Sequence, residues 1–198
     1  MKKLLTLAVL AGFFFAGCNP FDSGETSYFP LSVGNTWRYV FVDLTVESGT
    51  TDTFSIDTVD IEVTALAELA SGDSAFTVES DDDDLLEEGY YRVTDDFVLF
   101  FEDLDDDEPD TLLKMPLDDV SPWRQNEYVL AQVRGQEDTT VVAGTYKDCW
   151  KIRYSEDNDL LYDRWYAPNV GICLQQWFES DGGATDIERY ELISTNVR

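Results

Sequence analysis

Trp37-Arg38-Tyr39-Val40-Phe41 places three aromatic side chains on one parity, and that period-two stripe decides the fold class. Successive side chains of a strand point to opposite faces, so Trp37, Tyr39 and Phe41 line one side of an extended, half-buried segment. The same stripe would suit stacking on sugar rings, a use that ranks well below core packing. Next along the chain, residues 53–69 hold two registers. Phe54 and Ile56 share one parity, while Val59, Ile61, Val63 and Ala65 share the other. A bulge or bend near Asp57-Thr58 would bring both sets to one face, and is expected there.

Beyond these two runs the chain alternates β-type stretches with polar turns. Ser71-Gly72-Asp73, Thr94-Asp95-Asp96, Glu108-Pro109-Asp110, Glu156-Asp157-Asn158-Asp159, Asn169-Val170-Gly171 and Asp181-Gly182-Gly183 all read as turns. Between residues 121 and 156 the pattern predicts strands over 128–134 and 139–154. Residues 65–70 are the one stretch with the character of a helical turn. About ten strands with short connections must pair antiparallel. The expected fold is therefore all-β: an antiparallel meander of about ten strands, closed as a barrel, curled as a half-barrel, or folded as a two-layer sandwich.

Composition narrows the function. The chain of 198 residues has 41 acidic and 13 basic residues and no histidine. Without histidine there is no Ser-His-Asp or Cys-His nucleophile system, no histidine-ligated zinc and no histidine acid–base chemistry. The strong negative charge repels phosphates, which argues against any nucleic-acid partner. Aromatic residues make up 14% of the chain, which speaks for a packed core despite the charge. The acidic excess lies mostly in residues 18–119, where Arg38, Arg92 and Lys114 are the only basic residues. Solubility is the simpler reading of that excess, and cation binding the sharper one.

Lys2 and Lys3 precede an apolar stretch over residues 4–15, and Ala16-Gly17 lead into Cys18. This is the layout of a secretory signal, too short to span a bilayer comfortably. Phe15-Ala16-Gly17-Cys18 resembles the lipobox of bacterial lipoproteins, with Phe15 where Leu is usual. The resemblance implies cleavage before Cys18, a diacylglyceryl group on its thiol, and a membrane anchored through acyl chains. Asn19 in place of Asp implies sorting to the outer membrane rather than the inner. The expected organisation is residues 1–17 as signal peptide, 18–27 as lipidated Cys and tether, and 28–198 as a single acidic β domain.

Asp103, Asp105 and Asp107 have the spacing that opens a calcium loop. Glu108 stands where such a loop needs Gly, and Lys114 where it needs a bidentate Glu. This is no EF-hand, and at most a weak Ca2+ site. Cys149 and Cys173 are a candidate disulfide pair in an oxidising compartment, or else two small buried apolar residues. Apart from that Ca2+, no cofactor is expected.

Three further stretches carry a second resemblance. These are Tyr28-Phe-Pro-Leu31 with Gly34-Asn35-Thr36-Trp37-Arg38-Tyr39, then Val142-Ala-Gly-Thr-Tyr146 with Cys149, then Arg164-Trp-Tyr-Ala-Pro168 with Val170-Gly171. Together they resemble a scattered group of uncharacterised bacterial lipoproteins and secreted proteins. The resemblance spans the mature chain, which implies one domain, and brings no activity with it. The functional expectation is a membrane-tethered, non-enzymatic envelope domain that binds a protein or a hydrophobic small molecule. Its rivals are a surface protein with a calcium-binding acidic face and, last, a hydrolase working with carboxylates alone.

Overall fold

A computed structural model describes residues 26–47, 50–119, 121–157, 159–181 and 184–197. Among the described residues the fold is all-β, as expected, with twelve strands in a single antiparallel sheet. They are β1 (Thr36–Glu47), β2 (Thr50–Glu68), β3 (Ser74–Ser80), β4 (Gly89–Val93), β5 (Phe97–Phe101) and β6 (Asp110–Lys114). The second half holds β7 (Trp123–Arg124), β8 (Val129–Val141), β9 (Gly144–Glu156), β10 (Asp159–Ala167), β11 (Gly171–Asp181) and β12 (Ala184–Thr195). The order β6-β5-β4-β3-β2-β1-β12-β11-β10-β9-β8-β7 is a meander curled into a nearly closed barrel. The terminal strands meet along their whole length, from Trp37 opposite Thr195 to Glu47 opposite Ala184.

The seam falls in mid-chain, between β6 and β7. There the Thr111 N–H donates to the Gln125 carbonyl at 2.8 Å, and Trp123 Nε1 donates to the Thr111 carbonyl at 3.0 Å. One end of the barrel is sealed. The turn between β8 and β9 folds over it, with the Ala143 N–H bonded to the Leu192 carbonyl of β12 at 2.9 Å. Phe29 and Leu31 pack beneath, against Trp37 and Tyr39. Trp37 Nε1 donates to the Val170 carbonyl at 2.6 Å, and the Tyr39 hydroxyl to the Ile172 carbonyl at 2.8 Å. Gly171 sits at φ 95° beside Pro30 and Trp37, a conformation that favours glycine.

Four expectations from the sequence change. Twelve strands replace about ten, because β7 spans only two residues and has no sequence period. Residues 65–70 form no helical turn; β2 continues through Glu68, paired with β3. No bulge forms at Asp57-Thr58. The register instead slips where Leu44 opposes Thr53 and Asp43 opposes Ser55, leaving Phe54 as the extra residue. Ile56 and Val59 therefore lie on opposite faces: Phe54 and Ile56 are 67% and 70% exposed, whereas Val59, Ile61 and Val63 are buried. Finally, the turn expected near residues 135–138 lies at 142–143, which merges two shorter stretches into a long β8–β9 hairpin.

The outward faces are wet. Arg38 and Asp60 form an exposed bidentate pair, 2.7 and 2.6 Å. On β9 and β10, Asp163 is 1% exposed and receives Arg153 in a bidentate pair at 2.8 and 2.9 Å, with Lys151 at 3.0 Å. Burial alone would raise the Asp163 pKa, but the hydrogen bonds from Arg153 and Lys151 outweigh it and hold the carboxyl below its ordinary value. Its ion pairs therefore stabilise the fold above about pH 4 and cease to do so as the pH falls. Asp163→Asn is expected to cost about 2–3 kcal/mol near neutral pH. Measured by circular dichroism, the Tm gap between the variant and its parent should hold constant from about pH 7 to about pH 4 and narrow as the pH falls further.

Candidate functional site

Strand directions sort the loops between the two barrel ends. The chain enters at the sealed end, where the Ser27 N–H donates to Asn169 Oδ1 at 3.0 Å and the Asn169 N–H returns a bond to the Ser27 carbonyl at 2.6 Å. Residues 81–88, 102–109 and 125–128 connect strands at the opposite end. The first of these does not stay outside. Leu85 and Leu86 are buried in the barrel core, so the segment dips into the lumen.

Side chains from three strands hold it there. Arg164 Nη2 on β10 donates to the Leu85 carbonyl at 2.7 Å, and Gln175 Nε2 on β11 to the Asp84 carbonyl at 2.8 Å. The Tyr190 hydroxyl on β12 donates to Asp82 Oδ2 at 2.7 Å. Arg164 Nε also donates to Gln175 Oε1. Backbone carbonyls that would otherwise be stranded inside the barrel thus find partners. Inward-facing aromatics form a continuous row across five neighbouring strands. Tyr154 stacks on Tyr162 at 4.6 Å between ring centroids, Tyr162 meets Trp177 at 5.5 Å, Trp177 meets Tyr190 at 5.5 Å, and Tyr190 meets Phe41 at 4.9 Å. The Arg164 guanidinium lies over Tyr162 and Tyr154, 5.0 and 5.5 Å from their centroids.

The interior is filled at one end and hollow at the other. Around Phe29, Leu31, Trp37 and Ile61 the free space is about 20 Å³, too little for an acyl chain. On the other side of the inserted segment lies a hollow of about 280 Å³, walled by Tyr91, Phe100, Tyr162 and Trp177 and reaching Arg164. It opens past Glu87, Phe100 and Asn126 into an outer vestibule of about 630 Å³. Seven of the nine residues lining that vestibule are Asp or Glu, and none is basic. At the throat, partial desolvation, followed by the charges of Asp110, Asp83 and Glu102, pushes the Glu87 carboxyl up. The Tyr91 hydroxyl donates to the Glu87 carbonyl at 2.5 Å and fixes the backbone there.

Of the residues singled out in the sequence, Cys18 and the tether up to residue 25 lie outside the described residues. Asp103 and Asp105 reach the vestibule, and Asp107 is not part of its lining. Among the described residues, no group of three or more acidic, cysteine or histidine side chains is placed to hold a metal ion. Cys149 and Cys173 come together across the end of β10 as buried free thiols. The Cys173 thiol donates to Cys149 Sγ at 3.9 Å. That hydrogen bond, helped by Thr139, lowers the Cys149 thiol to about 7 and pushes Cys173 up. The residues that line the hollow most intimately, Arg164, Glu87, Tyr162 and Trp177, were not marked as site residues in the sequence. The available signal was parity: Tyr162, Arg164 and Tyr166 share one face of β10, so an arginine stands in an aromatic, inward-facing row.

The fold and the hollow define a meander β-barrel with one dry end and one acidic, open end. No protein-family model matches the chain, and no curated protein matches it. Among solved structures it is similar to a crystal structure of a candidate lipoprotein from Parabacteroides distasonis. The two are 14% identical, with a TM-score of 0.35, over 86% of this chain and 99% of the other.

The thiol pair yields a direct prediction. Oxidised glutathione should convert Cys149 and Cys173 to a disulfide, read as the loss of two hydrogens in intact mass, with the side chains rotating to close the sulfurs to about 2.05 Å. Closing a loop of this length should raise Tm by roughly 10 °C. Cys149→Ser should show neither change.

Proposed function

We propose that this chain is a membrane-tethered envelope lipoprotein whose β domain binds a small polar ligand and catalyses no reaction. The observation that carries the reading is the hollow of about 280 Å³, walled by aromatic faces with a few convergent polar groups. Space of this kind is costly to maintain in a domain that needs only to be stable, since interiors otherwise close to crystal-like density. The polar lining and the dense apolar end favour a water-soluble ligand over a greasy one.

The tether supports the same reading. Lipidated Cys18 would hold the domain by the sealed end, where Ser27 meets Asn169, so the acidic mouth faces away from the bilayer. Residues 19–27 span at most about 30 Å, which keeps the domain at the membrane surface. Asn19 supports the outer membrane as the address. The absence of histidine and the use of Arg164, Tyr91 and Tyr190 in structural hydrogen bonds support a binding role without catalysis.

Two experiments test this. Cys18→Ser should move the protein from the membrane pellet to the soluble fraction; a variant that stays with the membranes removes the anchor. A panel of small polar fragments screened by NMR should yield binders whose shift changes converge on Tyr91, Asn126 and Trp177. Binders scattered over the outer face, or none at all, would remove the ligand-binding role.

A further inference from the structure

The hollow has opposite charge at its two ends, and we infer that its ligand is a small zwitterion that enters anionic end first. The anionic group would go to Arg164 at the floor, and a cationic ammonium would stay at the throat beside Glu87. This inference rests on the hollow being a binding site and adds the ligand's chemical class.

The floor carries the first half of the inference. Arg164 is 4% exposed, and a guanidinium cannot relieve its burial by losing a proton. Its hydrogen bonds run to neutral oxygens, those of Leu85, Gln175 and Tyr166. None of the ion pairs among the described residues includes it, although this chain has acidic residues in large excess. A buried cation that faces open space with no carboxylate within ion-pair distance is suited to bind an anion.

The throat carries the second half. Asp83, Asp84 and Glu87 line the hollow, and the vestibule beyond them has carboxylates alone as charged groups. Partial desolvation, followed by the charges of the neighbouring carboxylates, leaves Glu87 with a raised pKa, a penalty that a nearby cation relieves. Tyr91 and Phe100 stand beside Glu87 in the wall of the hollow. A plain anion would have to pass the acidic vestibule unescorted to reach Arg164. A plain cation would be drawn into the vestibule and repelled at the floor. A molecule with both charges, separated by a body that packs against Tyr162 and Trp177, satisfies both ends.

Three probes of one shape isolate the charges: 4-(aminomethyl)benzoate with both, 4-methylbenzylamine with the cation, and 4-methylbenzoate with the anion. Titrated into the full chain and followed by isothermal calorimetry, the zwitterion is expected to bind at least about tenfold more tightly than either relative. It should also shift the Arg164 Nε–H resonance. Glu87→Gln, a change at the rim that leaves the core intact, should erase most of that advantage over 4-methylbenzoate. If 4-methylbenzylamine binds as well as the zwitterion, or Arg164 does not respond, the assignment of the floor is wrong. If Glu87→Gln leaves the zwitterion's affinity unchanged, the assignment of the throat is wrong. If none of the three binds while polar fragments still converge on the hollow, the ligand class is wrong and the binding site stands. Fragments that fail to converge remove both.

Discussion

The buried guanidinium of Arg164 is the interaction on which the interior depends. A charge that cannot be neutralised by deprotonation dictates what surrounds it. Here it takes the faces of Tyr154 and Tyr162, the oxygen of Gln175 and the carbonyl of Leu85. The last of these contacts draws residues 81–88 inward. Once inside, Leu85 and Leu86 complete the apolar core, and the same segment becomes the wall between dry and wet halves of the barrel. Without Arg164, the Leu85 carbonyl would lose its donor at a buried position, a cost of roughly 1–3 kcal/mol before any change in packing. One side chain thus couples the fold of a loop to the shape of the hollow.

Most of the sheet was legible from local pattern. The stripe of Trp37, Tyr39 and Phe41 does face inward, and opposite it on β2 stand Ile61, Val59 and Asp57. Where the reading failed, the cause was a signal without length or a preference overridden by pairing. Trp123-Arg124 is too short to show a period. Residues 65–68 have mild helical character, yet β3 offers Ser74 to Thr77 as hydrogen-bonding partners and the strand continues. Phe54 and Ile56 suggested a bulge only on the premise that large apolar side chains must be buried, and both are exposed.

The site was less legible, for a different reason. The acidic runs were plain in the sequence, but whether they face solvent or a hollow depends on closure of the barrel. Residues 102–109 and 125–128 belong to opposite sides of the seam, and they share a vestibule because β6 and β7 meet through Thr111, Trp123 and Gln125. Calcium-loop spacing could be checked residue by residue, whereas the convergence of Glu87, Asp110 and Arg164 is a property of topology. Arg164 itself lay in a stretch whose resemblance brought no activity with it, and its hydrogen bonds are structural. Its second aspect, a charge without a close ion-pair partner facing a cavity, appears only when the neighbours are known.

The pairing of β1 with β12 has a consequence for the order in which this molecule can be built. For a chain made N-terminus first, β1 and β2 can zip together early, yet the other edge of β1 must wait for residues 184–195. Until then an aromatic strand edge stands open, the kind of edge that recruits other chains. Every strand from β3 to β11 has to be laid down before the barrel can close on its first strand, a highly non-local contact that makes folding slow. A first strand that waits and a last strand that completes the sheet therefore mark the two ends of one assembly process.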